Sequence, residues 1–411
     1  MHILALVVMF LSTLYCFCMK RTFDFFSIAM ISGGFYFSPI LPGYAYNPAL
    51  QSFDPLVNGV YQVTILYYLF LFLGMLINDR YFTQENTVSL SHADFPVNQY
   101  ASAILLILFL TSFSYLIFSL GLGAFTLHKT ELMSQLGVVF SLFCTVCLIG
   151  VIYWYRQSRY LFLLACIGLI YTLIVGYRFL TILSMLSLLV FICSQRGRQF
   201  FIKKNWILVL ILPLLLIFFM SGGAIYTFIK FHCVNDFEWA SDKLVILHTE
   251  PMVIQENLNL IFKKNYHVEQ NYLNRNVLLA MLPVSSHFGL KVVGFNAQMQ
   301  PVLYGNYAYG VASNVWGELY ALYGWPGIYT GMLLMSLLCL LMSIQLKGAS
   351  RNYLSLLIPV GLFLFFYMQR NELTYTVNLI RNIVFIWLLM NIGAYTISRF
   401  KCLISAPSHE N

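Results

Sequence analysis

The sequence YASAILLILFLTSFSYLIFSLGLGAF, residues 100–125, decides the class of fold, because none of its residues is charged. A helix of about 20 mainly apolar residues, rising about 1.5 Å per residue, is long enough to cross the hydrocarbon core of a bilayer. Such a helix would present no charged face to water. We therefore predict that residues 100–125 form a membrane-spanning helix.

Comparable apolar runs recur along the whole chain. Of its 411 residues, 60% are hydrophobic and 9% are charged, and the mean hydropathy is +0.77. Soluble proteins average about 45–50% apolar and about 25% charged residues, so a soluble globular protein is excluded. We predict an all-α, polytopic integral membrane protein, with residues 1–411 as a single domain and about 11 transmembrane helices. The predicted spans are 2–18, 22–42, 59–77, 100–125, 132–154, 160–177, 179–194, 205–221, 314–345, 353–369 and 378–398.

Basic residues predict the orientation of these spans. Alternate threading places most of the 23 Lys and Arg on one side, which the positive-inside rule makes cytoplasmic. The outer side then receives one large segment, residues 222–312, inserted between spans eight and nine. Within it, residues 244–262 predict an amphipathic helix broken near Pro251. The net charge of +8 therefore reports topology, and no basic run with interleaved aromatics indicates a nucleic-acid partner.

Three arginines fall on the outer side, where short turns normally avoid this residue. They are Arg178, Arg370 and Arg381, from two separate predicted turns. An arginine at membrane depth costs about 2.5–3.5 kcal/mol on insertion scales, so it persists where a partner or a wet cavity offsets that cost. Together the three would form a cationic cluster suited to phosphate oxygens. The alternatives are helix-packing ion pairs, such as Arg370 with Glu372, and snorkelling to lipid head groups.

A second polar group opens the ninth predicted span. In a helix Asn314 and Glu318 stand at positions i and i+4 on one face. A lone carboxylate entering a bilayer is protonated, paired with a base, or lines a wet site where it would suit proton abstraction. An ion pair with one of the arginines is the structural alternative. Just beyond, Gly324-Trp325-Pro326-Gly327 predicts a break or kink in the helix.

These residues carry a resemblance to a known family. Asn314, nine further residues and then Gly324-x-x-Gly327 reproduce the spacing of a motif of the O-antigen ligases, with Ser313 at the ligase histidine position. The step Gly317-Glu318-Leu319-Tyr320 and the segment 369–373, with Arg370, resemble the bacterial oligosaccharide repeat-unit polymerases that make O-antigen and are relatives of the ligases. An Arg followed by Gly eleven positions later, described in some polymerases, is missing after both Arg178 and Arg275.

The resemblance implies a glycosyltransferase-C-like enzyme of the bacterial inner membrane with its active site facing the periplasm. It would move a growing glycan from undecaprenyl pyrophosphate to a hydroxyl of a new lipid-linked repeat unit. The implied partners are that lipid-linked oligosaccharide, membrane lipid and a chain-length regulator protein. No cluster of acidic residues resembles a magnesium site, so we expect transfer without a metal or cofactor. The alternatives are a lipid-linked oligosaccharide flippase or transporter, and an O-antigen ligase.

Site residues follow from the same implied chemistry. The catalytic set is Glu318 as base, with Arg178 and Arg370 stabilising the departing pyrophosphate. Tyrosine rings either stack on sugars or anchor the chain at the membrane surface. The predicted substrate-binding residues are Arg381, Asn314 as an orienting donor, His287 as an alternative base, Arg275, Tyr304 and Tyr307.

Overall fold

The structure is a computed structural model, and it describes residues 1–18, 23–82, 95–121, 129–175, 178–196, 250–269, 272–282, 293–305, 312–347 and 349–404. In this part of the chain the protein is mostly helical. Its helices are α1 (His2–Cys18), α2 (Phe25–Tyr36), α3 (Asn58–Tyr81), α4 (Phe95–Leu120), α5 (Lys129–Trp154), α6 (Arg159–Ile174), α7 (Arg178–Arg196), α8 (Glu250–Lys263), α9 (Leu278–Met281), α10 (Phe295–Tyr304), α11 (Val315–Gln345), α12 (Arg351–Phe365) and α13 (Leu373–Ile404). Two strands, β1 (Tyr44–Asn47) and β2 (Ser52–Pro55), form a small antiparallel hairpin.

The apolar helices make this a membrane protein. Six of those described, α3, α4, α5, α11, α12 and α13, are long and apolar enough to cross a bilayer. Four shorter apolar helices, α1, α2, α6 and α7, coincide with further predicted spans. The predicted span at 205–221 lies outside the described residues. An all-α polytopic architecture is confirmed, whereas the total of eleven spans and the glycosyltransferase-C-like arrangement stay predictions.

Helix α2 lies at the centre of the bundle, in contact with α1, α3, α11 and α12. Eleven of its 12 residues are buried. The span predicted at 22–42 is longer than this helix, which ends at Tyr36 and gives way to a 3-10 turn at Ser38–Ile40. Pro39 accounts for the difference, because it has no backbone N–H to donate to the Phe35 carbonyl oxygen, which accepts from the Ser38 hydroxyl across 2.8 Å instead.

Aromatic packing joins the outer helices. The rings of Phe113 on α4 and Phe143 on α5 stack with centroids 5.4 Å apart. The indole of Trp154 donates to the Ser102 hydroxyl across 2.9 Å, which ties the end of α5 to α4. Cys144 and Cys147, whose spacing resembles a redox motif, are buried and unbonded to each other among these packed rings.

The large segment 222–312 contributes a helix to the body of the protein. Helix α8 packs against β1, α2, α3 and α11, and Gln255, Asn257 and Asn259 on it are fully buried. Of the helix predicted over 244–262, the part that follows Pro251 is present, since α8 spans Glu250–Lys263 with Pro251 in its first turn, where proline removes no backbone hydrogen bond. Residues 244–249 lie outside the described residues, so the break near Pro251 stays a prediction.

Helix α11 has the kink that its sequence predicts. Gly324 adopts φ 64° and ψ −149°, a conformation that favours glycine, and Pro326 follows it. A side-chain carbon on Gly327 would lie 2.5 Å from the carbonyl oxygen of Leu319, eight residues earlier. In a straight helix those residues are about 12 Å apart along the axis. The helix therefore consists of a short limb, residues 315–323, folded against a long limb, residues 325–345.

Candidate functional site

One end of the bundle, which we call the polar end, combines the hairpin β1–β2, helix α8 and the first turns of α10, α11 and α13. Glu318 is fully buried there, on the short limb of α11. Its Oε2 accepts a hydrogen bond from the Leu373 backbone N–H across 2.7 Å. Since Leu373 is the first residue of α13, the carboxylate sits on the positive end of a helix dipole.

Asn314 caps the helix that carries Glu318. Its Oδ1 accepts a hydrogen bond from the Gly317 N–H across 2.9 Å, and the residue is almost completely buried. Asn314 therefore precedes the helix instead of standing on one of its faces beside Glu318. Its side-chain oxygen serves the fold, as is usual for asparagine at this position.

A second glutamate makes a similar contact to another helix. Glu372, directly before α13, accepts from the Asn296 N–H through Oε2 across 2.7 Å and from the Thr374 hydroxyl through Oε1 across 2.9 Å. Asn296 is in the first turn of α10. Gly294 permits this approach, because a side-chain carbon there would come within 2.1 Å of Glu372 Oε1. Glu372 therefore binds the first turn of α10 and is not the partner of Arg370.

Tyr272 lies beside both glutamates. Its side chain is buried and interacts electrostatically with Glu318 and Glu372. Burial first, and then these two carboxylates, raise the pKa of the Tyr272 hydroxyl above its ordinary value. The hydroxyl therefore keeps its proton and remains a hydrogen-bond donor near Glu318.

Arg370 forms an ion pair with Glu250, the first residue of α8. Its Nη1 also donates to the Tyr367 hydroxyl across 3.4 Å, and the guanidinium lies over the Tyr367 ring. Burial alone lowers the pKa of Arg370, but Glu250 and the neighbouring tyrosines, including Tyr36, raise it by more, and the net pKa is above its ordinary value. About a quarter of the Arg370 side chain and 30% of the Glu250 side chain are exposed, whereas the two contacting atoms, Glu250 Oε1 and Arg370 Nε, are buried.

The turn that contains Arg178 reaches the same place. Phe179, the next residue, stacks on Tyr367 with the ring centroids 4.7 Å apart and the planes at 20°. Tyr367 is the tyrosine that contacts Arg370. Arg178 begins α7, and its side chain lies outside the described part of the structure. Two arginine-bearing turns that are distant in sequence are therefore neighbours at the polar end.

Arg381 has different partners from Arg370. Its Nη1 donates to the carbonyl oxygens of Ala280 and Leu282, at 2.9 and 2.7 Å, and its Nη2 contacts Asn378. These contacts hold the C-terminal end of α9 against α13. In the described contacts, then, Arg381 and Arg370 share no partner, and the predicted cluster of three arginines stays a prediction.

The remaining predicted residues are dispersed. Arg275 is exposed on a π-helical turn, Leu273–Val277. The Tyr304 ring is buried, and its hydroxyl is hydrogen-bonded to the side chain of Asn257 on α8. His287 and Tyr307 lie outside the described residues.

Sequence reasoning missed a buried carboxyl on α8. Glu256 is fully buried, and its Oε2 accepts from Asn259 across 3.0 Å. Asp54 on β2 lies beside it and pairs with Lys263 at 2.8 Å. Burial, only partly offset by the Asn259 hydrogen bond, raises the pKa of Glu256 to about 7. The only sign of Glu256 in the sequence is an acid within an amphipathic helix. In sequence, a buried acid of this kind looks the same as one on the exposed polar face of the helix.

Glu250 and Glu372 were also missed as members of the site. Their roles depend on contacts with distant segments, namely Arg370 and Asn296. No group of three or more His, Cys, Asp or Glu with metal-binding geometry occurs among the residues that the structure describes. The polar end therefore offers a part-exposed cation, several tyrosine hydroxyls and carboxylates, a set suited to binding an anion and moving a proton.

The chain matches no protein-family model, no curated protein and no solved structure. Its fold and polar end define the class as a helical, multi-pass membrane protein with a polar site at one end of the bundle.

Proposed function

We propose that this protein is an O-antigen polymerase of the bacterial inner membrane, a polymerase of lipid-linked oligosaccharide repeat units in lipopolysaccharide biosynthesis. It transfers a growing glycan from undecaprenyl pyrophosphate to a hydroxyl of a new lipid-linked repeat unit at the periplasmic face. One observation carries the proposal. The turns that contain Arg178 and Arg370 meet at the polar end, where Phe179 stacks on the tyrosine that contacts Arg370.

The chemistry of the donor explains why arginine is required. Pyrophosphate is a good leaving group once the negative charge that collects on its oxygens is stabilised. Guanidinium groups remain charged and bind two phosphate oxygens at once. Arg370 is charged and part-exposed, and Arg178 begins the adjacent helix. We assign these two residues to the pyrophosphate of the donor lipid.

Glu318 helps to hold the turn that contains Arg370 in place. Its hydrogen bond to Leu373 fixes the third residue after Arg370. The Trp316 indole donates to Gln369 across 2.7 Å, which fixes the residue directly before Arg370. The short limb of α11 therefore holds the Arg370 turn from both sides. The additional role of Glu318 as the base stays a prediction from the resemblance, as do the ligand contacts of Arg381, Asn314, His287, Arg275, Tyr304 and Tyr307.

The test is reconstitution. Purified protein in lipid nanodiscs is incubated with an undecaprenyl-pyrophosphate-linked repeat unit, and the products are separated by size. A ladder of products that grow by one repeat unit supports polymerisation. Movement of the lipid across a vesicle bilayer without new glycosidic bonds would instead indicate a flippase, and transfer of chains only to lipid A would indicate a ligase.

A further inference from the structure

The ion pair between Glu250 and Arg370 places a part-exposed glutamate at the proposed pyrophosphate site. About 30% of the Glu250 side chain is exposed, whereas Glu318 is fully buried and one of its oxygens is bound to the Leu373 N–H. A general base must come within hydrogen-bond reach of the proton that it takes. Of the two glutamates, Glu250 meets this requirement better.

We propose that Glu250 is the general base of the glycan transfer and that Arg370 holds it until the donor binds. This inference rests on the proposed function. The donor pyrophosphate binds Arg370 and takes the place of the Glu250 carboxylate. The released carboxylate then accepts the proton of the acceptor hydroxyl.

An exchange of this kind is favourable at Arg370. Pyrophosphate carries more charge than one carboxylate and offers several oxygens to a guanidinium that binds two at a time. Glu250 makes its contact through Oε1 to Arg370 Nε. Parts of both side chains are exposed, but Glu250 Oε1 and Arg370 Nε are buried, so the donor has to displace the carboxylate to reach Nε.

The backbone of α8 keeps the released carboxylate near the ligand. Gln255 donates to the Tyr36 carbonyl oxygen across 2.9 Å, and Asn259 accepts from the Val57 N–H across 2.9 Å. Lys263 at the other end of α8 pairs with Asp54 on the hairpin. Since these contacts anchor the helix, Glu250 can change rotamer without moving away from Arg370.

The step balances without any further reactant. The acceptor oxygen forms a bond to the anomeric carbon of the donor glycan as the bond from that carbon to the pyrophosphate oxygen breaks. The bonding electron pair leaves with the pyrophosphate, which Arg370 binds. The proton of the acceptor hydroxyl passes to the Glu250 carboxylate.

The test separates binding from turnover in Glu250→Gln. This variant keeps the size of the side chain but removes the base and the partner charge of Arg370. We expect ladder formation to fall by about 10²–10⁴-fold, the usual contribution of a general base. We expect binding of undecaprenyl pyrophosphate to nanodisc-embedded protein to be as tight as in the wild type or tighter, because Arg370 no longer has a competing carboxylate. Glu250→Asp, which retains a carboxylate, should recover part of the activity.

Glu269→Gln is the matched control, since Glu269 is an exposed glutamate of the same large segment. It should leave both measurements unchanged. A wild-type ladder in Glu250→Gln overturns the inference alone. Loss of both ladder and undecaprenyl pyrophosphate binding in Glu250→Gln also overturns it, because the ion pair would then be structural. A wild-type protein that gives no ladder overturns the proposed function itself.

Discussion

The carboxylate of Glu318 accepts a hydrogen bond from the backbone N–H of Leu373, so the short limb of α11 is joined directly to the first turn of α13. Trp316, on the same limb, holds Gln369. Arg370 lies between these two attachment points. The position of the guanidinium therefore depends on residues of α11 that do not touch it.

Removing the Glu318 carboxylate tests this attachment. In Glu318→Ala the part-buried Leu373 N–H loses its acceptor, which we expect to cost about 1–3 kcal/mol. In Glu318→Gln the amide oxygen can still accept that hydrogen bond, so the loss should be much smaller. Thermal unfolding of both variants in the same detergent measures the difference. Equal melting temperatures for the two variants would show that the contact contributes nothing to stability.

Glu256 predicts a dependence of stability on pH. Its pKa is raised to about 7 in the folded protein, against an ordinary value of 4.5. Between these values the folded state binds more protons than the unfolded state, so stability falls as pH rises and the full loss is reached above pH 7. At about 1.36 kcal/mol for each pKa unit, the loss is on the order of 3 kcal/mol.

Glu256→Gln removes this titration and keeps an acceptor for Asn259. We expect the variant to melt at the wild-type temperature at pH 4, below the ordinary pKa of this carboxyl, and above it at pH 8. The comparison between the two proteins cancels the other groups that titrate in this range. Parallel melting curves from pH 4 to pH 8 would mean that Glu256 is ionised at the same pH in the folded and unfolded protein.

Gly294 is required by the contact between Glu372 and α10. In Gly294→Ala the new methyl group would meet the Glu372 carboxylate, whose oxygen is 2.1 Å from the required position. Because Glu372 is a flexible side chain, it would turn aside and lose its contact with the Asn296 N–H, so we expect a loss of about 0.5–1.5 kcal/mol, the net contribution of one hydrogen bond. Gly34→Ala is the control, because nothing lies within 4 Å of a side-chain carbon at Gly34. If both variants unfold at the same temperature, Glu372 moves without cost.

Arg370→Lys distinguishes a phosphate site from an ordinary ion pair. Lysine keeps a positive charge for Glu250, so we expect the melting temperature to change little. It cannot bind two phosphate oxygens in the planar arrangement of arginine, so the rate of ladder formation should fall by more than about tenfold. Undecaprenyl pyrophosphate binding should weaken in parallel. Wild-type activity in this variant would show that charge alone is sufficient at position 370.

The apolar runs predicted the helices because an uncharged stretch such as residues 100–125 has few alternatives to a buried helix. The kink at Gly324 could be predicted equally well, because glycine and proline change the conformation of the backbone at their own positions. Arg370 was identified as a misplaced charge, and the alternative ion pair considered for it was with Glu372, two residues away. The structure pairs it with Glu250 instead. Local patterns report what one segment prefers, whereas the partner of a side chain depends on how distant segments pack.

The hairpin β1–β2 was not predicted for a related reason. Tyr44–Asn47 and Ser52–Pro55 are too short to show a clear period of two. Their position is fixed by α8, whose Asn259 contacts the Pro55 carbonyl oxygen and the Val57 N–H. That helix lies far away in the sequence, within a segment expected to form an outer loop.

The kink at Gly324 places the two limbs of α11 in different environments. As one straight helix, α11 would be longer than the hydrocarbon layer is thick. The nine residues of its short limb, roughly 14 Å of helix at 1.5 Å per residue, are instead folded back beside the long limb. Only the long limb then has to match the thickness and the apolar character of the bilayer. The short limb can carry a buried acid such as Glu318. A methyl group at residue 324 would be strained at φ 64°, so the approach of the Glu318 carboxylate to α13 depends on glycine at this position.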